Sequence, residues 1–161
     1  MIEKLAFIPK ILYYCKSYLN IILMKLDVKL KKGVGDLQFN STIDQAMKLM
    51  GAPTDVENIG EDIDYPTTIL HYDSLGISLF FETNETCMLT CIDIDNSDTT
   101  IFGQKVMGEP SRVIEELMIK NNILNKTKED EDWGEMRISY EDYSIDFYFI
   151  DDKLVSITFG K

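Results

Sequence analysis

One β-rich pattern occurs twice in this sequence and constrains the fold more than any other feature. Residues 72–81 read Tyr-Asp-Ser-Leu-Gly-Ile-Ser-Leu-Phe-Phe, and residues 140–149 read Tyr-Glu-Asp-Tyr-Ser-Ile-Asp-Phe-Tyr-Phe. Each copy has a tyrosine, a short polar turn and an alternating apolar run, which is typical of a β-hairpin with one buried face. An amphipathic segment precedes each copy, at residues 41–50 and 111–121, and an apolar run follows it. The sequence therefore predicts a helix followed by three strands, made twice.

The predicted strands cover residues 67–72, 77–82 and 87–94 in the first copy and 136–140, 144–150 and 154–159 in the second. A further short strand is predicted at 26–30. Residues 54–66 and 129–135 are rich in Asp and Glu and are predicted to be loops. Ser41 or Thr42 is expected to cap the first helix, whose buried stripe comprises Ile43, Ala46, Met47 and Met50.

The predicted fold class is α+β, with two tandem helix-plus-antiparallel-sheet repeats at residues 26–98 and 99–161. One helix of roughly ten residues cannot cover a three-stranded sheet alone, so the repeats are expected to share a core as one compact domain. Both helices are predicted to lie on one face of the sheet.

Residues 1–25 differ from the rest, because apolar residues at helical spacing alternate with Lys10, Lys16 and polar residues. This pattern predicts an extra N-terminal amphipathic helix, interrupted too often by lysine to span a membrane. Three interpretations compete: the helix packs on the body, it binds a membrane surface or a partner through residues 5–24, or translation begins at Met24.

The charge of the chain is uneven. The formal net charge is −12, but residues 1–33 contain seven lysines against Glu3 and Asp27, whereas the remaining residues have a net charge of −17. Because phosphate contacts need Lys and Arg, such an acidic body is unsuited to nucleic acid or to anionic lipid. It would instead attract a basic partner protein.

The sequence contains no cofactor-binding or catalytic motif, such as a phosphate-binding loop, a dinucleotide fingerprint or a nucleophile elbow. Cys87 and Cys91 lie about 13 Å apart if they share one strand, beyond disulfide reach, and His71 alone cannot complete a zinc site. Reduced thiols predict a cytoplasmic protein, with a redox pair as the alternative. We expect no enzymatic activity and no metal.

The sheet face opposite the helices is predicted to display polar and aromatic residues from both repeats. Those of the first repeat are His71, Ser78, Phe80, Cys91 and Asp93, and those of the second are Arg137, Ser139, Asp146, Tyr148, Ser156 and Thr158. Either the N-terminal helix or a loop covers this face, or it binds a partner. The predicted partner-binding residues are Phe80, Tyr148, Trp133, Asp146, Asp130, Asp132, Glu61, Asp62, His71 and Asp93.

A family resemblance rests on two stretches of the sequence. The first runs from Gly35 to Pro53 and contains a helix ending in Leu-Met-Gly-Ala-Pro, and the second is the later Leu-Gly-Ile-Ser-Leu-Phe-Phe strand. Together they resemble the tandem repeats of β-lactamase-inhibitor-protein-like folds, and small bacterial immunity proteins with the same layout. The resemblance covers about residues 26–160. It implies a protein that inhibits another protein.

The predicted function is accordingly non-enzymatic: an immunity protein that binds a basic bacterial toxin domain and occludes its active site. The alternative is a membrane-peripheral scaffold or assembly protein that uses the N-terminal amphipathic helix.

Overall fold

The structure is a computed structural model that describes residues 24–60, 66–83, 86–130 and 134–161. The predicted N-terminal helix therefore lies outside the described residues, apart from the last two positions of its range. The described chain contains thirteen strands and two α-helices.

The elements follow one another in the order β1 (Asp27–Lys29), β2 (Gly33–Val34), β3 (Leu37–Gln38), α1 (Ile43–Met50), β4 (Asp55–Ile59), β5 (Thr67–Tyr72), β6 (Ile77–Thr83), β7 (Cys87–Ile94), β8 (Thr100–Ile101), β9 (Gln104–Lys105), α2 (Ser111–Lys120), β10 (Thr127–Asp130), β11 (Glu135–Tyr140), β12 (Ile145–Ile150) and β13 (Lys153–Gly160).

Eight strands form one large antiparallel sheet in the order β10-β11-β12-β13-β7-β6-β5-β4. It consists of two four-stranded meanders, β4–β7 and β10–β13, which meet where β13 pairs with β7. At this junction Thr158 lies opposite Asp93, and Phe159 lies opposite Ile92. The last strand of each meander is therefore central, and the first strand of each, β4 or β10, lies at an edge.

The other five strands form a small sheet in the order β3-β2-β1-β8-β9, in which β1 and β8 are parallel. Apolar residues from this sheet and from both helices join the core-facing side chains of the large sheet in a single buried cluster. Ala46 and Met50 of α1 and Ile114 and Met118 of α2 are fully buried in it. The small sheet and the helices thus pack on one face of the large sheet.

Helix α1 begins where the sequence predicts a cap. The Thr42 side chain accepts a hydrogen bond from the Gln45 amide, and the Gln45 side chain accepts one from the Thr42 amide, which completes a capping box. The stripe prediction is wrong at Met47, which is 37% exposed. Ala46 and Met50 face the sheet. Met47 lies beside them at the border of the buried stripe, and in a helix of only two turns this position remains partly exposed.

The two hairpin turns have the same geometry. A 3₁₀ turn joins β5 to β6 and ends at Gly76 with φ 56°, and another joins β11 to β12 and ends at Ser144 with φ 49°. Both residues adopt the left-handed conformation, which favours glycine. At Gly76 a Cβ atom would also lie 2.0 Å from Oδ1 of Asp95, so the Asp95 side chain would have to move to make room for it.

The predicted α+β fold class is wrong, because the protein is mostly β. Residues 55–59 and 127–130, predicted to be loop or left unassigned, form the edge strands β4 and β10. Residues near 33–38 and 100–105 form the small sheet, so a second sheet replaces part of the expected helical layer. The two described helices have only eight and ten residues.

Candidate functional site: the open face of the large sheet

The large sheet has a second face, opposite the helices and the small sheet, which we call the open face. The residues whose side chains lie on this face are not members of the buried cluster. Strand register places on it all eleven residues that alternation assigns there, from His71 on β5 to Thr158 on β13. Most of them are half-buried, although Ser139 is only 7% exposed.

One row of directly paired residues on the open face crosses all eight strands and is polar throughout. We call it the polar row. From β10 to β4 it comprises Thr127, Ser139, Asp146, Thr158, Asp93, Ser78, His71 and Asp55.

Hydroxyl groups orient the two carboxylates near the middle of the polar row. Oδ1 of Asp93 accepts hydrogen bonds from Ser156 Oγ at 2.8 Å and from Thr158 Oγ1 at 2.7 Å, both across the junction between the meanders. Asp146 accepts a hydrogen bond from the Ser139 hydroxyl. Because each set of donors binds a single oxygen, the second oxygen of each carboxylate can accept a donor from outside.

His71 is held by its own neighbours. Its Nδ1 lies 2.9 Å from Ser78 Oγ, and its Nε2 lies 3.5 Å from Glu57 Oε2. Strand β6 lies between His71 and Cys91, which pairs with Phe80 rather than with Ser78. Both ring nitrogens therefore have partners other than the Cys91 thiol, which argues against a Cys-His nucleophilic pair.

The two aromatic residues predicted to anchor a partner lie on the open face but far apart. Phe80 and Tyr148 lie on opposite sides of the polar row, because β6 and β12 run in opposite directions with two strands between them. Strand spacing and rise separate them by roughly 20 Å. Phe80 lies opposite Ile69, which is only 4% exposed. The two aromatic side chains would thus contact different parts of a partner.

Arg137 provides a positive charge beside Tyr148, its direct neighbour across β11 and β12. Its hydrogen bonds with Glu129 and then with Tyr148 raise the pKa of the Arg137 guanidinium. The Glu129 carboxylate lies 2.5 Å from Arg137 Nη2. The nearby charge of Asp146 also raises the pKa of Arg137, so Arg137 lies close enough to Asp146 to offset part of its charge. Asp93 lies on β7, three strands away from β11.

Cys91 is expected to resist alkylation. Burial, followed by the nearby charge of Asp93, raises the pKa of its thiol to about 11. At pH 8 it should contain on the order of a hundredfold less thiolate than a free cysteine, and the thiolate is the reactive form. Iodoacetamide labelling followed by peptide mass spectrometry tests this, with the same cysteine in the urea-unfolded chain as the reference. Equal labelling rates in the folded and unfolded protein would contradict the expectation.

Asp130 is the one remaining predicted partner-binding residue that the structure describes, and it does not lie on the open face. Asp130 lies on β10 opposite Met136, whose side chain packs against the core, so Asp130 lies on the other side of the sheet. Glu61, Asp62, Asp132 and Trp133 lie outside the described residues.

Residues at the two edges of the open face were missed by sequence reasoning. Asp55, Glu57 and Ile59 of β4 and Thr127 and Glu129 of β10 belong to it by register. Asp-Val-Glu-Asn-Ile has no strict alternation of polar and apolar residues, and the acidic residues around it are typical of a loop, so the sequence contains no clear signal for this edge strand.

The surface depressions lined by described residues are shallow, and each is a candidate binding site. One of about 160 Å³ lies at the β10 end of the polar row and is lined by Thr127, Ser139 and residues including Lys126 and Asp142. Larger ones, of about 620 and 420 Å³, lie beside α1 and beside β1.

In the described ranges no three His, Cys, Asp or Glu side chains are placed to hold a metal ion. Neither α1 nor α2 has the length and apolar character that crossing a bilayer requires.

No protein-family model and no curated protein matches the sequence. Among solved structures, the uncharacterized protein yfeY from Escherichia coli is 16% identical, with 86% of this chain and 100% of that chain covered and a TM-score of 0.48. A cysteine-rich secretory protein from Staphylococcus aureus Mu50 is 16% identical, with 86% and 49% covered and a TM-score of 0.46. An extracellular protein containing a SCP domain from Bacillus anthracis is 13% identical, with 83% and 50% covered and a TM-score of 0.44. This chain spans about half the length of the last two.

The resemblance to β-lactamase-inhibitor-protein-like repeats and immunity proteins is wrong, because the similar structures are SCP-domain or cysteine-rich secretory proteins and yfeY. The residues that suggested it have local structural roles. Thr42 and Gly51 cap helix α1, and Gly76 ends a left-handed turn. Caps and turns of this kind occur in many unrelated folds, so they indicate local structure and not a family.

Proposed function

We propose that this protein is a non-enzymatic binding protein that holds a positively charged partner protein against its open face. The observation that carries the proposal is the polar row, which crosses all eight strands and presents two partly buried carboxylates near its centre.

The geometry of Asp93 and Asp146 favours binding. Hydroxyl donors on neighbouring strands already fix both side chains, so little side-chain entropy is lost when a partner docks. A lysine or arginine that reached the remaining carboxylate oxygens would form charge-assisted hydrogen bonds, which are stronger than neutral ones.

The charge of the chain supports a cationic partner. With a formal net charge of −12, the protein would attract a basic surface over a distance and raise the association rate. Tyr148 and Phe80, on opposite sides of the polar row, would add apolar contact at two separate points. A toxin that acts on nucleic acid has such a basic surface around its active site, and docking here would occlude that site.

The test compares matched variants in binding to a defined candidate, the protein encoded by the adjacent gene. Asp93→Asn with Asp146→Asn removes two charges from the open face while keeping the side-chain shapes. Asp36→Asn with Asp130→Asn removes two exposed charges elsewhere and serves as the control.

We expect the open-face variant to bind at least about tenfold more weakly than wild type, which is a loss of about 1.4 kcal/mol. The control variant should lose less, and the affinity of wild type should fall with added salt. The proposal fails if both double variants bind like wild type, or if the neighbouring product does not bind at all.

A further inference from the structure

The large sheet ends in two edge strands, β4 and β10, and neither is paired on its outer side within the described chain. Every residue of both strands is exposed. An unpaired edge presents a row of amide and carbonyl groups on which another strand can pair, and proteins usually protect such edges.

The two edges occupy equivalent places but differ in protection. Val56 of β4 pairs with Leu70, and Lys128 of β10 pairs with Ile138 at the corresponding position of the other meander. A lysine on an edge strand discourages pairing, whereas Val56 is a β-branched residue that is 50% exposed. Ile59 of β4 is also 47% exposed. The β4 edge therefore lacks the lysine that protects the β10 edge, and its charged residues, Asp55 and Glu57, are both acidic.

The direction of the free hydrogen-bonding groups on β4 follows from its neighbours. The Thr83 amide donates to the Pro66 carbonyl, so Pro66, Thr68 and Leu70 direct their main-chain groups toward β6. Because hydrogen-bonded pairs alternate, Thr67, Ile69 and His71 direct theirs toward β4. The partners of those three residues, which are Ile59, Glu57 and Asp55, use their groups on β5. The amides and carbonyls of Val56 and Asn58 consequently point outward.

The side chains of β4 define what an added strand would meet. Asp55 and Glu57 lie on the open-face side, and the Glu57 side chain is 53% exposed although it is near His71. Val56 lies on the opposite side. An added strand would thus meet two carboxylates on one of its faces and an apolar side chain on the other.

A second copy of this chain is a poor occupant of the edge. Antiparallel pairing of two β4 strands centred on residue 57 places Glu57 opposite Glu57, and centring on residue 56 places Asp55 opposite Glu57. Like charges directly opposite each other destabilise strand pairing. A strand with lysine or arginine at alternate positions would instead pair with these carboxylates.

We propose that the β4 edge accepts an extended peptide segment as a ninth strand, with basic residues facing Asp55 and Glu57 and apolar β-branched residues facing Val56. The main-chain groups of Val56 and Asn58 supply the hydrogen bonds, and the side chains select the sequence. This site is distinct from the centre of the open face and does not depend on what binds there.

The test measures binding of a capped peptide with alternating lysine and valine by titration calorimetry. Val56→Pro removes one outward amide without removing a hydrogen bond to β5, and proline is tolerated on edge strands. Lys128→Pro is the matched control at the other edge. A peptide that is N-methylated on the groups that would face β4 blocks the same hydrogen bonds while leaving the protein unchanged.

We expect wild type and Lys128→Pro to bind the Lys-Val peptide equally. Val56→Pro and the N-methylated peptide should each weaken binding by about tenfold or more, consistent with loss of main-chain hydrogen bonds and strand geometry. Val56→Lys should weaken it similarly. The Asp93→Asn, Asp146→Asn variant should bind the peptide like wild type, which separates this site from the open-face proposal.

Three results would overturn the inference: equal binding of the N-methylated and unmodified peptides, equal binding of a Glu-Val peptide, or wild-type dimerisation that Val56→Pro abolishes. The last would identify a second copy as the occupant. If Val56→Pro does not fold, as judged by circular dichroism, the N-methylated peptide and Val56→Lys still decide the question.

Discussion

Replacing Phe159 with alanine is expected to lower the free energy of unfolding by about 3–5 kcal/mol, the usual cost of removing a buried phenylalanine. Phe159 is 1% exposed and lies on β13, at the junction of the two meanders. It lies opposite Ile92 on one side and Ile145 on the other, and its ring contacts Phe39 edge to face with centroids 5.9 Å apart. The cavity would therefore remove contacts between both meanders and the segment before α1.

Urea unfolding followed by circular dichroism measures this effect. Val155→Ala on the same strand is the control, since Val155 is 37% exposed and its truncation should cost no more than about 1 kcal/mol. If Phe159→Ala costs as little as the control, the junction is not part of a shared core. A separate early transition in the variant would show that the meanders unfold independently.

The six long strands were predictable within two residues, because each has a strong local signal. In β6, for example, Ile77, Leu79 and Phe81 alternate with Ser78 and Phe80, and a turn that ends at Gly76 precedes them. Such a pattern determines both the strand and the face on which each side chain lies. The residues that the six long strands contribute to the open face were therefore predictable from the sequence.

The short strand predicted at residues 26–30 contains β1 (Asp27–Lys29), but the edge strands and the pairing of the small sheet were not predictable, because they depend on distant partners. Residues of β4 and β10 are all exposed, so burial imposes no alternation on them, and only main-chain hydrogen bonds to one neighbour define them as strands. Strand β1 has three residues and β8 has two, and they pair in parallel although more than seventy residues separate them in the sequence. Local propensity contains little information about such contacts.

The hydrogen bonds that orient the candidate site also depend on the long-range register. Alternation places Asp93, Ser156 and Thr158 on one face, but only the pairing of β13 with β7 brings both hydroxyls to the same carboxylate oxygen. The order of the residues in the polar row likewise follows from strand order, which the sequence left undetermined.

The second large effect is expected at a glycine of the small sheet. Gly33→Ala should lower the free energy of unfolding by about 2–4 kcal/mol, because strain and steric exclusion act together. Gly33 has φ 139°, a conformation that alanine rarely adopts, and a Cβ atom there would lie 2.0 Å from the Leu37 carbonyl oxygen and 2.9 Å from the Gln38 Cα. Both neighbours are main-chain atoms of β3, which cannot move aside without breaking the pairing of β2 with β3.

Gly103→Ala separates the two causes. Gly103 also has a positive φ, 77°, but nothing lies within 4 Å of its added Cβ, so only the backbone strain of about 1 kcal/mol should appear. Thermal and urea unfolding of both variants should therefore give a clearly larger loss for Gly33→Ala. Equal losses would mean that β3 moves away from β2 at little cost and that the small sheet contributes little to stability. A larger loss at Gly33 would instead show that the close packing of β2 against β3 restrains the small sheet, whose apolar residues complete the core beneath the open face.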